Sequence, residues 1–134
     1  MAAVTAPLTK TFSAVVPAAA QAAGAETTIF VAPYAATVTS VTFIPVAAIT
    51  GADTHTRKVS LVNKKADATG TDEAAVLQFN NTVDAAAFVG KAITNGTLAK
   101  RTLAAGDVIT WASAKVGNGI ADPGGTVIVT LERN

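Results

Sequence analysis

Thr126-Val127-Ile128-Val129-Thr130-Leu131-Glu132-Arg133 sets Val127, Val129 and Leu131 on one side of an extended chain, because successive strand side chains point to opposite faces. The turn-forming Asp122-Pro123-Gly124-Gly125 precedes it. Together they read as a closing β-strand with one buried face, entered through a tight turn.

Working back from that strand, Val108-Ile109-Thr110-Trp111-Ala112-Ser113 is rich in β-branched residues and follows the turn Ala105-Gly106-Asp107. Trp111, the single tryptophan, reads as a core anchor. Arg57-Lys58-Val59-Ser60-Leu61-Val62-Asn63 alternates in the same manner and reads as a half-buried strand. The polar turn from Lys64 to Glu73 then leads into Ala75, Leu77 and Phe79, which alternate with Val76, Gln78 and Asn80. The expected element is a hairpin.

Lys10 to Val16, Glu26 to Ala32 and Thr37 to Pro45 are also β-prone, with Pro33 and Pro45 marking the expected strand ends. In the last of these runs Val41 and Phe43 share a face with Thr37 and Thr39, whereas Val38 and Ile44 fall on the other. Either a bulge shifts the register or both faces are covered. Pro17 to Ala25 reads as a loop or a single helical turn, Gly96 to Leu103 as a further strand, and residues 82–95 carry no consistent period.

About eight β-runs separated by turns, with no long amphipathic helix between them, predict an all-β fold. A two-sheet β-sandwich of jelly-roll type is the expected architecture, with an immunoglobulin-like sandwich as the alternative. The 134 residues suit one domain. Residues 1–9 are expected to be a flexible N-terminal arm, and 10–134 a single β-sandwich domain.

Half of the residues are apolar and 14% are charged, which favours a packed core over disorder. Ten basic and nine acidic side chains leave a net charge of +1. No broad positive field exists to gather phosphates or anionic lipid, so neither nucleic acid nor membrane is an expected partner. A surface with so few charges favours contact with other chains, and oligomerisation is expected. Small residues near Ala14 to Ala20 resemble a signal-cleavage region, but Pro17, Gln21 and Gly24 interrupt it and Lys10 is its only positive charge. Every apolar run is broken well short of the roughly 18 residues that cross a bilayer. The expectation is a soluble chain without a secretory signal.

Few residues here carry chemistry. His55 is the only histidine and stands near Asp53, with no nucleophile-elbow serine to complete a relay. One histidine and no cysteine do not furnish a zinc site. Asp67, Asp72 and Glu73 flank Gly70 in an oxygen-rich loop whose spacing is not that of an EF-hand, so a solvated turn is favoured over calcium. The glycines from 117 to 125 adjoin no lysine of P-loop type and read as turn glycines. Lys64-Lys65 and Lys100-Arg101 lack interleaved aromatics and suit solvated faces or contacts to an acidic partner. Asn80-Asn81-Thr82 and Asn95-Gly96-Thr97 match the short glycosylation triplet. No catalytic, cofactor or metal-binding residue is expected, and the chain is not expected to be an enzyme.

The stretch Val31-Ala32-Pro33-Tyr34-Ala35-Ala36-Thr37-Val38-Thr39-Ser40-Val41-Thr42-Phe43-Ile44-Pro45, followed by Ile49 to Thr54, resembles small jelly-roll proteins of tailed bacteriophages that decorate capsids. Arg57 to Lys64, Ala104 to Ile109 and Gly119 to Gly125 share that resemblance, which spans roughly residues 25–134. The resemblance implies a decoration, or cement, protein on the outer surface of a phage capsid, made in the host cytoplasm and bound to the major capsid protein. It also implies a homo-oligomer, commonly a trimer. Its signatures belong to the framework and carry no binding residues over. The alternative is a receptor- or carbohydrate-binding module of a tail fibre, whose site would display exposed aromatics.

Overall fold

Val127, Val129 and Leu131 are fully buried, as their alternation predicts. In the computed structural model, which describes residues 8–134, they belong to the last of ten strands. These are β1 (Thr9–Val16), β2 (Ala25–Val31), β3 (Ala36–Pro45), β4 (Thr56–Asn63), β5 (Asp72–Gln78), β6 (Lys91–Ala92), β7 (Thr94–Asn95), β8 (Thr102–Leu103), β9 (Val108–Val116) and β10 (Gly125–Arg133). One helical turn, α1 (Leu98–Arg101), precedes β8. Residues 1–7 of the expected arm lie outside the described residues. Thr9 already pairs with Glu132, and the Leu8 carbonyl accepts from the Arg133 N–H at 2.9 Å, so the sheet begins earlier than the arm boundary drawn from sequence.

The first sheet runs β1-β10-β3, with the two-residue strands β6 and β8 both on the far side of β3, and the second runs β2-β9-β4-β5-β7. All pairings between named strands are antiparallel. The first strand pairs with the last, the second with the next-to-last, and β4 with β5 closes the nest. That nested order is the jelly roll, and it separates this chain from the immunoglobulin-like alternative. The sixth strand of the roll in chain order, the one beside β3, is broken into the short pieces β6 and β8.

The conflict in β3 is resolved by a bulge. Thr130 pairs with Ser40 and Leu131 with Val38, leaving Thr39 as the extra residue. The shift turns Ala36, Val38, Val41 and Phe43 all inward, and all four are buried. A bulge in β5, between the partners of Leu61 and Val62, likewise buries both Ala74 and Ala75.

Two expectations need correction. β4 is not half-buried, because it lies in the middle of the second sheet and its outward Ser60 and Val62 are shielded by β9 and β5 on either side. Its inward positions are Arg57, Val59, Leu61 and Asn63, an apolar pair bounded by a polar residue at each end. Gly96 to Leu103 is not a continuous strand. β7 before it pairs with β5 in the second sheet, and β8 at its end pairs with β3 in the first. A single strand cannot belong to both layers, and the helical turn makes the crossing, held by the Arg101 guanidinium on the carbonyls of Val38 and Gly96 at 2.9 and 3.0 Å.

Between the layers the core is continuous. Phe12 of β1 stacks on Phe30 of β2 with ring centroids 4.3 Å apart, and Phe43 of β3 meets Trp111 of β9 at 5.5 Å. Both contacts join one sheet to the other. Trp111 is the core anchor its surroundings predicted. No helix among the described residues is long and apolar enough to cross a membrane.

Candidate binding surface

The polar residues of the interior hold the two ends of the sandwich. At one end Arg57 is completely buried. Its guanidinium donates to the carbonyls of Ile120 (2.8 Å), Ala23 (2.7 Å), Ala20 (2.9 Å) and Gln21 (3.2 Å), and to the Ser113 hydroxyl (3.4 Å). Ser113 in turn donates to Asp122 at 2.6 Å, and Asp122 accepts the Gly124 N–H at 2.8 Å. Burial lowers the Arg57 pKa from its ordinary value and the nearby Asp122 charge opposes that shift. The guanidinium nevertheless stays protonated throughout the useful pH range. In effect one side chain ties the β1–β2 loop and the β9–β10 loop to the core. Gly119 makes the closure possible: its φ is +80°, and a Cβ there would lie 2.1 Å from the Gln21 carbonyl oxygen.

At the other end Asn63 donates to the Asp107 carboxylate at 2.8 Å and accepts the Lys65 N–H at 2.8 Å. The same carboxylate caps the Ala104 N–H at 2.9 Å. The turn that precedes the Trp111 strand is thereby fastened to β4. Sequence reading passed over Arg57, Asn63, Asp107 and Asp122 as functional or structural sites. A signal for Arg57 and Asn63 was present, since both fall in the inward phase of Val59 and Leu61, where a polar residue requires partners.

The candidate chemical residues stand apart from one another. His55 is exposed, and its Nδ1 accepts the Asn118 N–H at 3.0 Å from the β9–β10 turn. The serine nearest to an acid is Ser113, which is buried with Asp122 at the Arg57 end. Asp67 folds back on its own turn, accepting from the Thr69 hydroxyl (2.7 Å) and N–H (3.2 Å), and these bonds lower its pKa below the usual carboxylate value. Asp72 faces Lys65 at 3.8 Å and Glu73 faces Lys58 at 2.9 Å. Among the described residues no group of three or more His, Cys, Asp or Glu is placed to hold a metal ion. Lys64 reaches Glu26 at 3.8 Å, so both lysines of that pair face acids of this chain. The Asn95 amide donates to the Thr39 carbonyl at 3.0 Å. Gly117, Gly119 and Gly124 all have positive φ, as turn glycines should.

The outer faces of the two sheets differ in chemistry. On the second sheet the outward positions carry Glu26, Lys58 and Glu73, with Lys64 alongside. On the first sheet, pairing places three rows outward: Thr11, Thr130 and Ser40; Ser13, Ile128 and Thr42; and Val15, Thr126 and Ile44. None of these nine side chains is charged. The rows present hydroxyls and β-branched methyls, and a fourth outward row, Thr9, Glu132 and Thr37, adds one acid at the end of the sheet.

Beyond the Ile44 end lies the loop that carries Phe88. This residue is 75% exposed and has φ +59°, a conformation that bulky residues rarely adopt. Its N–H donates to the Pro45 carbonyl at 2.8 Å, which fixes the loop against the end of β3. Val46 and Val89 beside it are also exposed. Among the described residues Phe88 is the only strongly exposed aromatic, whereas Trp111 retains 2% of its surface. No sequence signal marks Phe88, because a positive φ at a non-glycine residue is set by the loop's attachments.

No family model, no curated protein and no solved structure matches this chain.

Proposed function

We propose that the protein is a structural component of a phage virion that binds the outer surface of the capsid and stabilises it. The observation that carries this reading is the run of three uncharged rows on the outer face of the first sheet, nine outward residues without a charge, ending at the exposed Phe88, Val46 and Val89. A surface of hydroxyls and methyls gains from burial against another protein, and it has few charges to desolvate in doing so. The polar side chains of the interior meanwhile serve the framework: Arg57, Asn63, Asp107 and Asp122 all bond to the loops and strands they join. The partners of this reading are the major capsid protein and further copies of the chain; the resemblance in sequence implies three.

Co-sedimentation with assembled, expanded capsids tests it. The wild-type protein is expected to saturate the shell, and Ile128→Lys, which places a charge in the middle of the outer face, is expected to weaken binding while leaving the circular dichroism unchanged. Absence of binding to capsids of the parent phage would sink the reading. The tail-fibre alternative is less well supported, because Trp111 is buried in the core and one exposed phenylalanine makes a poor sugar platform. Saturable glycan binding would revive it.

A further inference from the structure

The two sheets have four edges, and three of them are protected. The edge beyond β3 holds only β6 and β8, and the edge beyond β5 holds only β7, each two residues long. The edge at β2 is bulged between Thr28 and Phe30 and carries Glu26. The fourth, β1, is different. It is eight residues long, its pairing with β10 has no irregularity, and it contains no proline and one charge, Lys10. A long, regular strand edge is a template for another strand.

The hydrogen-bonding phase of that edge follows from one bond. The Arg133 N–H donates to the Leu8 carbonyl, which makes Leu8 and Arg133 a hydrogen-bonded pair. In an antiparallel ladder such pairs alternate. Lys10, Phe12, Ala14 and Val16 therefore direct their backbone groups at β10. Thr9, Thr11, Ser13 and Val15 direct theirs away from the sheet, and among the described residues these groups have no backbone partner. The Val46 N–H bond to the Gly124 carbonyl on the other side of β10 gives the same phase independently.

We infer that β1 pairs antiparallel with β1 of a second copy, about a two-fold axis at Phe12, joining the first sheets of both copies into one. Only one two-fold register uses all four outward residues. It sets Thr9 against the partner's Val15 and Thr11 against the partner's Ser13, each a hydrogen-bonded pair, and repeats them on the other side of the axis. Lys10 then falls opposite the partner's Ala14, so the strand's one charge does not meet itself. Phe12, half-buried on its stack with Phe30, meets the partner's Phe12 across the non-hydrogen-bonded position, where strands approach closest. Val15, which is 84% exposed in the single chain, gains a neighbouring strand. The closure is a two-fold, distinct from the trimer that the resemblance implies, and it does not rest on what the assembled protein binds.

Sedimentation equilibrium of the purified full chain, up to about millimolar concentration, tests the pairing. The wild-type protein is expected to have the dimer mass. Ser13→Pro removes an outward N–H while leaving the β10 ladder intact, and it should raise the dissociation constant at least about tenfold with unchanged circular dichroism. Because that variant can fail to fold, a charge pair on the solvent face supplies a second test. Thr11→Lys with Ser13→Lys sets like charges opposite each other and should give monomer, whereas Thr11→Lys with Ser13→Glu sets opposite charges together and should remain a dimer. A monomeric wild type, a trimer, or an oligomer indifferent to the two lysines overturns the inference. Capsid co-sedimentation is read separately, so either proposal can fail while the other stands.

Discussion

Arg57, with no exposed surface, donates to the carbonyl of Ala23 at 2.7 Å. That bond and its neighbours on Ala20, Gln21 and Ile120 attach two loops to one inward position of β4. Replacing the side chain with leucine leaves these carbonyls to find water at the end of the core. Arg57→Leu is expected to cost about 3 kcal/mol or more, since bonds to a charged donor contribute about 1.5–3 kcal/mol each and act together here. Arg57→Lys should recover only part of the loss, because an ammonium lacks the planar fork. Urea unfolding midpoints measure both.

Asp107 plays the corresponding part at the opposite end, accepting from Asn63 and from the Ala104 N–H. Asp107→Ala is expected to cost about 2–3 kcal/mol by leaving a buried amide and a turn N–H unpaired. Arg57 and Asn63 are six residues apart on one strand, about 20 Å at the usual rise. Combined with Arg57→Leu, the two losses should add to within about 0.5 kcal/mol. Strong coupling in that double-mutant cycle would show that the ends of the sandwich are not independent.

Trp111 has its indole N–H buried without a hydrogen-bond partner, in contact with Phe43. Its fluorescence should be blue-shifted in the folded protein and move sharply to the red on unfolding. Trp111→Ala is expected to destabilise by about 3–5 kcal/mol, the range for a large buried aromatic. Trp111→Phe should cost less, because it removes the orphaned donor together with part of the ring.

Phe88 gains little from the fold and adopts a left-handed backbone. Phe88→Gly is expected to leave stability unchanged or raise it by up to about 1 kcal/mol, as relief of the positive φ offsets the greater freedom of glycine in the unfolded chain. Capsid binding is expected to fall in the same variant. A thermal melt and a co-sedimentation titration on one preparation would separate the two effects.

Asp67 has its carboxyl pKa lowered by the Thr69 hydroxyl and N–H. A group with a depressed folded pKa contributes stability that is present above its unfolded pKa, near 3.9, and is lost as pH falls through the lower folded value. The Thr69 amide resonance should therefore titrate with a midpoint below that of an unperturbed aspartate. Asp67→Ala should abolish that titration and loosen the turn locally, as seen in faster amide exchange at Thr69.

Alternation in sequence was sufficient for the closing strand, for β9 and for the hairpin of β4 with β5, because a strand's two faces are separated by chemistry within the chain itself. It also located the trouble in β3, where Val38 and Val41 disagreed about the face. It could not choose a bulge at Thr39 over a strand covered on both sides, because that choice lies in the pairing with Thr130 and Leu131. The helical turn at Leu98–Arg101 was missed for a different reason: Leu, Ala, Lys and Arg are good helix formers, but four residues are too few to show a helical period, and only the passage from one sheet to the other requires a turn there.

By itself, the sequence determined an all-β chain of turn-separated strands, a core that includes Trp111, and turn glycines at 117, 119 and 124, all properties of residues and their near neighbours. Only the tertiary structure decided that Arg57 ties down two loops more than 30 residues from it along the chain, that three adjoining rows of the first sheet's outer face carry no charge, and that among the described residues β1 is left as its open edge. Those features depend on which strand lies beside which. Pairing between segments far apart in sequence is set by packing of the whole chain, and no single run of residues records it.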